Sequence, residues 1–135
     1  MRFSTRAEYG LKAMLNLAHN FPEQKSIKEL SMEESISPKY LERLMGTLKK
    51  SGLVLSTKGQ GGGYVLSKKP SVMTAGEIIE ALDGPIAPMK CTSSNCAIAK
   101  TCNSSTIWTE LEQQIKKTLY GYTLKKLIHK NQTNA

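Results

Sequence analysis

Apolar residues recur at helical spacing in three segments of the N-terminal half. In the first segment, Thr5 and Glu8 have the spacing of a capping box and predict a helix that ends before Phe21-Pro22. The apolar face of this helix consists of Leu11, Met14, Leu15 and Ala18.

The second and third segments also begin with capping signals. Ser26 and Glu29 form a second box, which opens a short helix ending near Glu34. Ser37 then has the position of an N-cap, and Pro38 follows at the first helical position, where its missing N–H costs nothing. The third helix has an apolar stripe of Leu41, Leu44, Met45 and Leu48.

The helical spacing of apolar residues ends at Gly52, where the third helix should stop. LVLST and YVLS are short β-rich runs, and the glycine-rich loop KGQGGG joins them into a predicted hairpin. The order of three helices and a hairpin is that of a winged helix-turn-helix domain. The recognition helix is predicted over about residues 38–51 and the wing over about residues 53–67.

Helical periodicity returns in the C-terminal half. Thr74 and Glu77 form a third capping box, and Gly84-Pro85 ends the helix that it opens. From Thr106, apolar residues alternate at spacings of three and four, as in a helix packed on another helix. We assign this contact to dimerisation through Trp108, Leu111, Ile115, Leu119 and Tyr122.

These patterns predict a mainly α chain with a small β-hairpin, combining a winged helix-turn-helix domain with a long dimerisation helix. The domain should occupy residues 1–84, and a segment with little periodicity follows over residues 85–104. The dimerisation helix and a short C-terminal helix should occupy residues 105–130, before a polar tail over residues 131–135.

The net charge of +8 is concentrated in the N-terminal part. Residues 1–70 carry 12 Lys/Arg against 6 Asp/Glu, whereas residues 71–135 carry 7 against 5. A basic surface attracts a polyanion, with nucleic acid favoured over an anionic membrane surface. No run approaches the roughly 18 apolar residues of a membrane span. No apolar stretch follows the N-terminal charges as in a signal peptide, so a cytoplasmic protein is expected.

The predicted recognition helix carries the residue types that read base edges. Arg43 can bond guanine O6 and N7, and Glu42 can accept from cytosine N4 or pair with a neighbouring side chain. Tyr40 either bonds a phosphate or covers the edge of the core. In the wing, Lys58 suits a minor groove or phosphate, and the glycines permit close backbone approach. The predicted DNA contacts are Lys28, Ser37, Lys39, Tyr40, Glu42, Arg43, Lys58, Gly59, Gln60 and Gly61.

All three cysteines lie in CTSSNCAIAKTC, at Cys91, Cys96 and Cys102. Cytoplasmic thiols are kept reduced, so a tight cluster favours a metal or redox site over a disulfide framework. Four and five residues separate successive cysteines, and the CxxC pairs usual in zinc ribbons are missing. Such looser spacing suits an iron–sulfur cluster, whose usual ligands are thiolates.

Several blocks in register resemble the IscR, NsrR and CymR family of winged-helix repressors. They are MRFSTRAEYGLKAMLNLA, SIKELSMEESISPKYLERLMGTLKKSGLV, TKGQGGGYVLSKKP and TAGEIIEALDGPI, together with the cysteines, and the resemblance extends to about Lys130. It implies a homodimer with two recognition helices on a pseudo-palindromic operator. The base-reading positions of the family fall on Lys39, Glu42 and Arg43, and its wing arginine falls on Lys58.

The resemblance also implies an iron–sulfur cluster in each subunit, bound by Cys91, Cys96 and Cys102. The cluster is 2Fe-2S or 4Fe-4S, with 2Fe-2S favoured. Where IscR proteins have a histidine three residues after the last cysteine, this chain has Ser105. Glu8 matches a position from which an acidic residue in some relatives reaches the cluster of the other subunit, although Glu8 also fits the Thr5 capping box. The other candidates for the fourth ligand are His19, His129, Asn103, Ser104, Ser105 and water.

The sequence therefore predicts a transcriptional regulator, most simply a repressor, whose cluster senses iron–sulfur status, redox state or nitric oxide. The first alternative is a cluster-free thiol or sulfur-status regulator of the CymR type, and the second is a small iron–sulfur electron carrier. An enzyme is not expected, because no His or acid pair is arranged with a Cys or Ser for catalysis. A small-molecule substrate is not expected either.

Overall fold

The described residues form six helices and one antiparallel hairpin, as the sequence predicts. A computed structural model describes residues 2–59, 61–89 and 102–133, with side chains as far as residue 129. The elements are α1 Thr5–His19, α2 Ile27–Glu34, α3 Pro38–Lys50, β1 Val54–Thr57, β2 Gly63–Leu66, α4 Ala75–Asp83, α5 Ser105–Gly121 and α6 Leu124–Thr133.

The core lies between α1, α2, α3, α4 and the base of the hairpin, and its buried side chains in the described residues are all apolar. The predicted stripe of α3 faces this core, because Leu41, Leu44, Met45 and Leu48 are at most 1% exposed. Burial of apolar side chains is the main stabilising term in folding. It fixes the rotation of α3 about its axis and leaves the opposite, polar face in solvent.

The N-caps are those predicted, with one exception. Ser26 with Glu29 and Thr74 with Glu77 form reciprocal capping boxes, and the Ser37 hydroxyl accepts from the Tyr40 N–H at 3.2 Å. The Thr5 capping box is wrong, since α1 begins one residue earlier than that box requires.

Ser4 is the N-cap of α1, and its hydroxyl accepts a hydrogen bond from the Ala7 N–H at 3.0 Å. Asp83, at the end of α4, explains this choice of cap. Its carboxylate accepts from the Ser4 N–H at 3.1 Å and from the Ser4 hydroxyl, and it lies 3.8 Å from the Arg6 guanidinium. A contact between residues far apart in the chain therefore selects Ser4 over Thr5.

The C-terminal helices return to the N-terminal domain. The Ala75 N–H donates to the Tyr122 carbonyl, and the Leu124 N–H donates to the Met73 carbonyl, both at 2.9 Å. Leu124 is buried in the core. The turn between α5 and α6 is thus hydrogen-bonded to the start of α4.

Gly10 allows a close contact between α1 and α4, and it gives a test of this packing. A Cβ at residue 10 would lie 2.1 Å from Leu82 Cδ1. Gly10→Ala should therefore lower the free energy of unfolding by about 1 to 3 kcal/mol, the usual cost of overpacking a core.

Gly46, in α3, is the matched control, because a Cβ added there meets nothing within 4 Å. Gly46→Ala should raise the free energy of unfolding by about 0.5 to 1 kcal/mol through helix propensity. Denaturant unfolding of both variants at one protein concentration measures the difference. Equal effects of the two substitutions would contradict the close α1–α4 packing.

Candidate nucleic-acid interface and cysteine site

The polar face of α3 presents three of the predicted base-reading side chains together. Lys39, Glu42 and Arg43 are exposed, and they occupy the N-terminal part of the helix. Arg43 also borders a groove between α3 and the start of α1, which is lined by Ser4, Thr5, Arg6, Tyr40, Leu44 and Thr47. No salt bridge to Glu42 or Arg43 is found among the described residues. Their charged groups are therefore available to a ligand.

Tyr40 differs from these neighbours because its ring is half-buried against α1. The ring centroids of Tyr40 and Tyr9 lie 5.9 Å apart in an edge-on arrangement, and the Lys12 ammonium lies 5.5 Å from the Tyr9 centroid. Tyr40 thus covers the edge of the core, the second of its two predicted roles. This contact joins α1 directly to α3.

The tip of the hairpin is exposed and requires glycine. Gly59 and Gly61 have φ angles of +98° and +77°, a region that side chains with a Cβ rarely adopt. A Cβ on Gly62 would lie 2.4 Å from the Thr57 carbonyl oxygen. Lys58 is exposed beside this tip, whereas the predicted contact Gln60 lies outside the described residues. Lys28 and Ser37 are also exposed.

The segment before α2 joins the hairpin, a contact that the sequence patterns did not predict. Lys25 and Tyr64 form an isolated antiparallel bridge with hydrogen bonds of 3.0 Å and 2.8 Å. The Thr57 hydroxyl also bonds the Gln24 side chain. No local pattern marks this pairing, because its partners are about forty residues apart and the segment at Lys25 has no strand periodicity.

Cys102 is the one cysteine within the described residues, and it lies three residues before α5. The Ser104 hydroxyl is 3.1 Å from its sulfur. Hydrogen bonds from the Ser104 hydroxyl and backbone N–H hold the pKa of the Cys102 thiol below its usual value, which favours the thiolate. Cys91 and Cys96 lie outside the described residues.

Of the candidates for a fourth ligand, Glu8 has its carboxylate in solvent. Its only ion pair in the described structure is with Lys12, at 3.9 Å. Because Ser4 is the N-cap of α1, the competing role for Glu8 in a Thr5 capping box is removed. The Ser105 hydroxyl instead donates to the Cys102 carbonyl at 2.8 Å. His19, His129, Asn103 and Ser104 are exposed.

The described part of the chain contains no group of three or more His, Cys, Asp or Glu side chains able to hold a metal ion. A metal site that includes Cys102 therefore needs residues from outside this part of the chain or from a second subunit.

The predicted dimerisation face of α5 is only partly covered. No residue of this helix is buried, Leu111 and the following Tyr122 are exposed, and Trp108, Ile115 and Leu119 are half-buried. Ile115 and Leu119 line a cavity with Phe3, and the Tyr120 ring lies over Gly76 of α4, where a Cβ would come within 2.4 Å of Tyr120 Cδ2. The sequence patterns did not predict this role for Tyr120.

Comparison with known proteins agrees with this arrangement of helices and wing. The family model Rrf2, described as iron-dependent transcriptional regulator, matches residues 3–130. This chain belongs to the Rrf2 family. Rrf2 proteins are transcriptional regulators that bind DNA, so the predicted DNA-binding function is confirmed at the level of the family.

Two relatives show how far the sequence similarity extends. The chain is 36% identical to protein rrf2 of Nitratidesulfovibrio vulgaris over 131 residues, which cover 95% of this chain and 87% of that protein. It is 34% identical to the HTH-type transcriptional regulator IscR of Yersinia pseudotuberculosis over 131 residues, covering 96% and 80%.

Solved structures of two named regulators have the same fold. CymR, the global cysteine regulator of B. subtilis, has a TM-score of 0.78 at 35% identity, covering 94% of this chain and 95% of that one. IscR of T. potens has a TM-score of 0.77 at 30% identity, covering 97% and 88%. The resemblance to the IscR and CymR regulators and the winged-helix fold are thus confirmed. Within the described residues, no helix is long and apolar enough to cross a membrane.

The hydrogen bonds at Cys102 predict how its thiol titrates in this Rrf2 protein. Because its pKa is held low, a larger fraction is thiolate near neutral pH, and the fraction falls only as the pH drops through that lowered pKa. Ser104→Ala should raise the pKa and slow alkylation of Cys102 near pH 7.

Mass spectrometry of metal-free protein treated with iodoacetamide across a pH series follows Cys102 separately from the other cysteines. Thr109→Ala, which removes an exposed hydroxyl further along α5, is the control and should leave the profile unchanged. An unchanged profile in Ser104→Ala would show that Ser104 does not set this pKa.

Proposed function

We propose that this Rrf2-family chain is a homodimeric regulator, acting as a repressor, whose operator binding depends on an iron–sulfur cluster. Cys91, Cys96 and Cys102 bind the cluster, with Glu8 of the partner subunit as the fourth ligand. The observation that carries the proposal is the place of Cys102, an accessible thiol three residues before α5, whose sulfur lies 3.1 Å from the Ser104 hydroxyl and whose pKa is lowered. When bound, the cluster supplies a group that responds to iron supply, oxidants or nitric oxide.

Cys102 and Glu8 both have the chemistry of cluster ligands. Cys102 offers a thiol that readily becomes a thiolate, which is the form that binds iron. Glu8 offers an exposed carboxylate that no N-cap uses. Three cysteines leave one ligand position to a different residue type, and an exposed carboxylate can be displaced more easily than a thiolate.

Physical contacts connect Cys102 to the recognition helix. The Cys102 carbonyl accepts from the Ser105 N–H and hydroxyl at the start of α5. Tyr120 of α5 lies on Gly76 of α4, and α4 ends at Asp83, which holds the N-cap of α1. Packing between Tyr9 and Tyr40 then joins α1 to α3. A cluster bound at Cys102 would therefore be coupled to the position of α3.

A second copy of the chain is the natural partner for the open face of α5. Leu111, Ile115 and Tyr122 leave apolar surface in solvent, and such patches mark interfaces. Pairing of two α5 helices would set the separation of the two recognition helices. That separation has to match half-sites about one DNA turn, roughly 34 Å, apart.

A CymR-type regulator is the second candidate, because B. subtilis CymR is as similar in structure as T. potens IscR. In that case the three thiols, or an associated protein, report redox or sulfur status without a cluster. The electron-carrier alternative has no support from the family, whose members regulate transcription.

Base reading by α3 is testable with a duplex that the wild-type protein selects from a random-sequence pool. Arg43→Ala should raise the Kd for that duplex by about 5- to 150-fold more than for unselected DNA, because a bidentate contact to guanine contributes about 1 to 3 kcal/mol of discrimination. Lys117→Ala, an exposed change on α5, removes one charge elsewhere and should affect both duplexes alike. If Arg43→Ala also weakens both equally, Arg43 contacts only phosphates.

Cluster ligation is testable by iron and sulfide analysis of protein purified without oxygen. The wild type should be coloured and contain iron and acid-labile sulfide, and Cys96→Ala should remove the colour. Glu8→Ala should shift the absorption spectrum or lower the iron content, whereas the exposed control Glu110→Ala should do neither.

Zinc in place of iron, or protein without metal, would overturn the cluster proposal. A reversible disulfide between two of the cysteines under mild oxidant would then support the CymR-type alternative.

A further inference from the structure

The tip end of the wing's two strands is held by residues outside the hairpin. Besides the backbone bridge from Lys25 to Tyr64, the chain at Gly63 passes so close to Lys25 that a Cβ on residue 63 would lie 2.4 Å from the Lys25 carbonyl oxygen. The residue before Lys25, Gln24, bonds the Thr57 side chain across from Gly63. The segment at Gln24 and Lys25 thus contacts both strands at the end where the tip begins.

The side chain of Lys25 points away from the hairpin and binds α2. Its ammonium donates to both carboxylate oxygens of Glu33, at 2.7 Å and 2.8 Å, and lies 3.9 Å from Glu29. The Lys25 side chain is only 15% exposed. The hydrogen bond raises the pKa of Lys25 and lowers the pKa of Glu33. One residue therefore binds the wing through its backbone and α2 through its side chain.

This link matters because the core holds the hairpin only at its other end, through the buried side chains of Val54 and Leu66. A hairpin of two four-residue strands is at best marginally stable alone. Only Ser51, Gly52 and Leu53 connect α3 to β1. The hairpin needs a further contact if its tip is to keep one direction relative to α3.

We propose that Lys25, through Glu33, is a positioning residue that sets the wing relative to α2 and α3, so that Lys58 and Arg43 reach DNA together. This inference rests on the proposed function, in which α3 reads bases, and on the sequence prediction that Lys58 of the wing contacts a minor groove or phosphate. Lys25 itself need not touch DNA. Its contribution is to reduce the range of directions that the wing samples before binding.

A direct phosphate contact by Lys25 is the competing explanation, and charge distinguishes the two. Glu33→Gln removes a negative charge, so simple electrostatics predicts tighter DNA binding. Positioning predicts weaker binding, because the ammonium loses its charged partner and the wing loses its link to α2. The two explanations therefore predict opposite signs for the same substitution.

The experiment compares wild type, Glu33→Gln, Lys25→Met and Glu23→Gln on the selected duplex, with protein purified without oxygen. Glu23→Gln is the matched control, since it removes the same charge two residues before Lys25 from an exposed side chain. Hydroxyl-radical cleavage reports the minor groove beside the wing, and dimethyl sulfate methylation of guanine N7 reports the major groove at α3.

Glu33→Gln and Lys25→Met should each lose hydroxyl-radical protection in the flanking minor groove while keeping guanine protection. Their Kd values should rise about 2- to 5-fold, the range expected for a partly exposed charged pair. Glu23→Gln should keep both footprints and bind as tightly as wild type or more tightly. Unfolding curves measured in parallel would detect any general loss of stability.

Tighter binding by Glu33→Gln with an intact wing footprint would overturn the inference. Equal loss of both footprints would overturn it as well, because the effect would then be on the whole domain. A wild-type protein that protects the guanines but leaves no wing footprint would instead contradict the predicted wing contacts, and this result would be seen before any variant is made.

Discussion

The apolar face of α1 is the contact on which the rest of the structure depends. Ala13, Met14 and Leu17 are fully buried, and Gly10 lets Leu82 of α4 approach closely. The same helix packs on α3 through Tyr9 and on α6 through the core around Leu124. Through these contacts α1 joins α3 to α6 by closely packed side chains.

Local signals explain why most of the fold could be predicted from the sequence. Helix starts at Ser26, Ser37 and Thr74 are marked by side chains that bond their own first turn, and the stripe of α3 identifies its buried face by period alone. Once that face is known, the exposed position of Lys39, Glu42 and Arg43 follows. The polar surface of α3 was therefore predictable.

The features that could not be predicted join residues distant in the chain. Asp83 selects Ser4 as the cap of α1, Lys25 pairs with Tyr64, and Tyr120 packs over Gly76. Each of these contacts depends on how distant segments of the chain pack together. Hydrophobic periodicity and capping rules describe only neighbouring residues and therefore do not reveal it. The resemblance to some cluster-binding relatives made Glu8 a candidate ligand, and the structure adds only that its carboxylate is exposed and not used in capping.

The proposed function makes DNA binding depend on a cluster held by the three cysteines. The most direct test is the Kd for the selected duplex, at one salt concentration, of anaerobic protein before and after its iron is removed with a chelator. Allosteric coupling of about 1 to 3 kcal/mol predicts that the two Kd values differ by about 5- to 150-fold. Equal Kd values, with iron shown to be present before treatment and absent afterwards, would contradict the claim.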